Sequence, residues 1–133
     1  VNLGKSSRSR HRRRRGTFRI AATSLTAILL ASCQPPQQET NLADATRPAT
    51  ITLRAGSPGH VHAIDIAGSG SIDGVARIEL LLNGRRYRSV ELADKVAFRW
   101  RNDWYSREAV VRYAPLRVRR GSITLSYRFE TLQ

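Results

Sequence analysis

Cysteine is nearly absent. Cys33 is the only one in 133 residues, so no intrachain disulfide can form. Whatever part of the chain folds must hold by its core alone. Long uncharged runs are also scarce. The longest runs from residue 20 to 38, and its apolar part, residues 20 to 33, has only 14 residues with Thr and Ser among them. A membrane-spanning helix needs roughly 20 apolar residues, with about 17 as the lower limit, so this part is too short to span. No segment carries a helical hydrophobic period comparable to the alternating runs described below. Gly-rich phosphate loops are missing. Gly68-Ser69-Gly70 lacks the strand-to-helix setting of a nucleophile elbow. The acids are scattered, with no pair spaced for general acid–base work, and the chain reads as a non-enzyme with no cofactor. His60 and His62 share a face of a predicted strand, but a zinc site takes three or four protein ligands and no third is in reach, so no metal is expected.

Charge is strongly one-sided. The chain has 23 Lys+Arg against 10 Asp+Glu, a formal net charge of +13. The excess gathers at the start: Lys5, Arg8, Arg10, Arg12, Arg13, Arg14, Arg15 and Arg19 precede the uncharged run, with no acid among them. A positive segment followed by about 7–15 apolar residues has the form of a secretory signal. Its charge is retained on the cytoplasmic side, so the chain beyond it is exported. With residues 1–32 set aside, 15 basic residues face 10 acidic ones, a net of +5. That is an ordinary surface charge. A nucleic-acid-binding reading, which the basic composition suggests, stands only if the N-terminal segment is retained.

The apolar part ends in Leu30-Ala31-Ser32-Cys33, which resembles the lipobox of bacterial lipoproteins. The resemblance covers the first 33 residues. It implies a lipid on the Cys33 sulfur, cleavage before Cys33, and acylation of the new amine. It also implies a cell-envelope location on the periplasmic face of a membrane. Gln34 follows the cysteine in place of Asp, which in lipoproteins of enteric bacteria favours the outer membrane over the inner. Phe18 falls too late after Arg14-Arg15 for a twin-arginine signal, so the general secretory route is expected.

Residues 33–48 hold three prolines, several glutamines and one large apolar side chain, Leu42. They are expected to form a flexible tether, which if extended would hold a domain roughly 30–45 Å from the bilayer at about 3.1 Å per residue. Residues 49–133 alternate apolar and polar positions in short runs. The clearest sets Ile123, Leu125, Tyr127 and Phe129 on one face of a central last strand. About seven strands separated by Gly, Asn and Pro predict an all-β domain, an antiparallel β-sandwich resembling immunoglobulin-like or fibronectin-like architecture. At Asn83-Gly84, a three-residue loop with a glycine bulge is expected to set Val90 opposite Ala76 and on the Ile78 face.

One loop combines aromatics with arginines: Arg101, Asp103, Trp104, Tyr105 and Arg107, the composition of binding hot spots. The competing reading makes Trp104 a cap on the core. Two basic clusters, Arg85, Arg86 and Arg88 with Arg117, Arg119 and Arg120, suit either an anionic partner or solvated strand edges. The chain is therefore expected to meet a membrane through lipid on Cys33 and an envelope protein partner, with no nucleic acid and no evident small-molecule substrate. The alternative is a carbohydrate- or ligand-binding module using the aromatic loop.

Overall fold

A computed structural model describes residues 36–132. Cys33 and the residues before it lie outside the described residues. Five strands run in chain order: β1 (Gln38–Leu42), β2 (Ala49–Arg54), β3 (His60–Leu82), β4 (Arg85–Asp103) and β5 (Glu108–Leu132). There is no helix among the described residues. All pairings are antiparallel and belong to one sheet, ordered β1-β5-β3-β4, with β2 also pairing β5.

The all-β, antiparallel expectation holds, but the strand count is five in place of seven. Expected breaks turn out to be bends within continuous strands. The Gly68-Ser69-Gly70-Ser71 cluster does not end a strand: Ser69, Gly70 and Ser71 pair with Ala97, Val96 and Lys95 on one side. On the other side they pair with Thr124, Ile123 and Ser122. Small residues without bulky side chains let the ladder continue while the backbone turns. Register shifts fall between Ser71 and Val75 and between Ile72 and Gly74, and such bulges sharpen local bending. Asp94 of β4 has φ 54° at the same level. Gly121 of β5, at φ 138°, completes the line, and a Cβ there would run into the Ser71 carbonyl. Three long strands thus bend along one line, and the sheet doubles back on itself.

The period-two pattern then sends one side of both halves into a single core. Ile64, Ile66, Val96, Trp100, Ile123, Leu125 and Phe129 come from one half. Leu53, Ala76, Ile78, Leu80, Leu92, Val111 and Tyr113 come from the other. The last strand is central, flanked by β3 on one side and by β1 and β2 on the other. Its expected inward residues take their places, with Tyr127 partly covered. Pro115 lies beside a register shift, in a stretch where β5 has β3 as its neighbour but has passed the end of β2. A missing N–H is tolerated in such a position.

Two local expectations are corrected. From Gln38 on, the segment 33–48 is not a tether, because Gln38–Leu42 pairs with Tyr127–Ile123 as β1. Leu42 and Ala45 are buried, Ala45 completely. The Ala45 N–H donates to the Gly121 carbonyl at 3.0 Å, and the Tyr113 hydroxyl donates to the Ala45 carbonyl at 2.8 Å. Composition missed this because an edge strand needs few apolar residues when its neighbour supplies the core. At the hairpin, Leu82 pairs directly with Arg85 across Asn83 (φ 52°) and Gly84 (φ 74°), a two-residue turn with both central residues left-handed. The extra residue comes at the shift between Leu81↔Arg86 and Leu80↔Arg88. That shift sets Val90 opposite Ile78, not Ala76, and Leu92 opposite Ala76. The apolar residues are united as expected, by a bulge placed farther from the turn.

Candidate functional site

The doubled sheet has two unlike ends. At the bend lie Asp73, Asp94, Leu116 and Gly121. At the other, open end gather the turn at 83–84, residues 55–59, residues 104–107 and the end of β5 at Leu132. The Trp104 N–H donates to the His62 carbonyl at 3.1 Å, and His60 pairs with Leu132, which brings these segments together.

The expected binding loop sits here, and most of it is used for structure. Trp104 is 5 % exposed. Its Nε1 donates to the Glu108 carbonyl at 2.9 Å, and its ring lies 6.3 Å from that of Tyr87. It caps the core and offers no face to a ligand. Arg107 donates to the carbonyls of Gly59 (2.9 Å) and Ser57 (2.7 Å), fastening one loop to another. Arg101 forms a bidentate pair with Glu130 at 3.0 and 2.7 Å. Asp103 is the exposed last residue of β4. Tyr105 alone among the five candidates presents a large apolar surface, at 81 % exposure.

A second cluster was not picked out from the sequence. On the outer side of the sheet, Asp65 of β3 accepts hydrogen bonds from Arg99 of β4, at 3.0 Å from Nε and more closely from Nη2. Arg128 of β5 lies 3.8 Å away. Glu130 takes Arg101 on one side and faces His62 Nε2 at 3.5 Å. Charge-assisted bidentate bonds of this type are the strong ones. The Arg99 bond holds the Asp65 carboxyl below the usual carboxylate range, and the Arg101 bond does the same for Glu130. Both arginines are shifted upward in return. These carboxylates stay ionised near neutral pH, whereas a general acid or base works best with a pKa near the operating pH. The arrangement staples β4, β3 and β5 across their strands. A signal existed: Asp65 breaks an otherwise apolar run, and such a residue needs a partner when covered.

The two basic clusters part company. Arg86 lies 3.7 Å from Glu79, whose nearer partner is Arg112 at 2.7 Å, and Arg88 donates to Asn102. Arg119 and Arg120 share Asp73 at 3.0 and 3.8 Å. Among the described residues, no group of three or more His, Cys, Asp or Glu is placed to hold a metal ion.

Comparison with known protein families finds no family model that matches this chain, and comparison with curated proteins finds no match.

Proposed function

We propose that this chain is an exported lipoprotein whose domain stands on the periplasmic face of an envelope membrane and binds or scaffolds another envelope component. The observation that carries the reading is the order of elements at the start. A basic segment, a short apolar run and Leu30-Ala31-Ser32-Cys33 are followed five residues after the cysteine by the first strand of a folded domain. Gln34 favours the outer membrane. The doubling of the sheet supports a two-layer sandwich, immunoglobulin-like in its general architecture though built from one bent sheet. The burial of Trp104 favours a scaffold over a carbohydrate- or ligand-binding module, because that alternative needed an exposed indole beside a groove. Retention of residues 1–32 on the mature protein would revive the nucleic-acid reading. The reading is tested by intact mass and fractionation. The native chain should begin at a lipid-modified Cys33 and sediment with membranes, and Cys33→Ala should release it. Native protein still carrying residues 1–32 would defeat it. Crosslinking in cells, followed by identification of what is attached, then names the partner.

A further inference from the structure

We propose that the open end of the bent sheet lies against the bilayer, with Tyr105, Tyr87, Leu82 and Leu132 in the headgroup region and Arg85 and Arg86 on anionic lipid phosphates. The inference rests on the lipid anchor at Cys33 and adds an orientation to it. Its first support is the length of chain outside the strands. Because β1 begins at Gln38, residues 34–37 alone separate it from Cys33, and the five steps from Cys33 to Gln38 reach at most about 18 Å. A domain held so closely must touch the membrane with some face.

The direction of β1 selects the face. Gln38 pairs with Tyr127 and Leu42 with Ile123, so β1 enters the sheet from the side of Leu132. The Gln38 side chain lies beside Gly56, in the loop that Arg107 fastens. The anchor therefore joins the open end and not the bend.

The surface of that end fits the same occupant. Of the five large apolar side chains exposed among the described residues, four are here: Leu82, Tyr87, Tyr105 and Leu132. The fifth, Leu116, is near the bend. Tyrosine combines an apolar ring with a polar tip and is enriched at membrane interfaces. Arg85 and Arg86 stand beside Leu82 and Tyr87 around an open hollow at the hairpin tip. Arginine stems can lie along apolar surface while the guanidinium meets phosphate. Clustering of both residue kinds around the chain's entry point is what a docked anchor end requires.

The test uses the full chain, purified from cell membranes and returned to vesicles of phosphatidylethanolamine and phosphatidylglycerol. A nitroxide is placed at Tyr105→Cys or, in a separate chain, at Leu116→Cys. Both sites are exposed, so neither change disturbs the core. The label at 105 should be shielded from a water-soluble nickel chelate while the label at 116 stays accessible. Omitting phosphatidylglycerol should weaken the shielding at 105. Intact mass is read on the same sample. Lipid on Cys33 with residue 105 as accessible as 116 overturns the docking and leaves the anchor standing. Shielding at 105 without lipid on Cys33 supports the docking surface and removes the anchor. Accessibility at both sites without lipid overturns both.

Discussion

Arg88 Nε donates to the side-chain oxygen of Asn102 at 3.0 Å, although the two residues lie 14 apart on the same strand. A straight strand would separate them by roughly 46 Å at about 3.3 Å per residue. The bond spans the opening between the two halves of β4. Asn102 is buried, and its Nδ2 has no partner among the described residues. Removing Arg88 would leave both ends of that amide unsatisfied. Arg88→Ala should cost about 1–3 kcal/mol, the range for hydrogen bonds to charged groups and for orphaned buried polar groups. Urea unfolding of Arg88→Ala, Asn102→Ala and the double variant measures the coupling. Strictly additive losses would mean the contact does not hold the halves together.

Trp104→Ala should lower stability by about 3–5 kcal/mol, as for other buried aromatics. Against a total of about 5–15 kcal/mol, the variant should be poorly folded. Trp104→Phe keeps a ring beside Tyr87 but removes the bond to the Glu108 carbonyl, with an expected loss of about 0.5–1.5 kcal/mol. Thermal melting of both checks the order. An unchanged midpoint for Trp104→Ala would return this residue to the binding surface.

Gly68 faces the ring of Phe98 across the β3–β4 ladder, and a methyl at Gly68 would overlap that ring. Phe98 also lies 4.8 Å from Trp100, centroid to centroid, so it has little room to retreat. Gly68→Ala should destabilise by about 1–3 kcal/mol, the usual penalty for overpacking. In a Phe98→Leu background the same change should cost less, and the difference is the interaction energy of the pair. Equal costs in both backgrounds would show that the ring is not the obstacle.

The Asp65 and Glu130 carboxyls are held below their ordinary pKa by Arg99 and Arg101. The unfolded chain therefore binds protons at a higher pH than the native one, and stability rises with pH through that interval. The contribution is complete above the ordinary carboxylate pKa of about 4 and is lost as pH falls through the lower native values. Asp65→Asn should reduce stability at neutral pH and flatten the slope below about pH 4. Denaturant midpoints across that interval test it. An unchanged slope would assign the acid sensitivity to other groups.

Sequence alone determined the secondary-structure class and the inward residues of the last strand. Alternation at Ile123, Leu125, Tyr127 and Phe129 is a local property, and a half-buried strand requires it wherever the strand lies. It also displayed the signal-like start, because charge, run length and the position of Cys33 can be read without any fold. The tertiary structure decided the rest. Whether Gly68 to Ser71 ends a strand or bends one depends on partners in β4 and β5, 24 to 57 residues farther along the chain. Gln38–Leu42 became a strand because the edge of β5 was available to it, a fact absent from its own composition. Trp104 and Arg107 look like a binding loop when taken locally. The bend brings Tyr87 to the indole, and the fold brings the carbonyls of Ser57 and Gly59 to the guanidinium. Which side chains remain for a partner is a property of long-range contacts, and a linear pattern does not contain it.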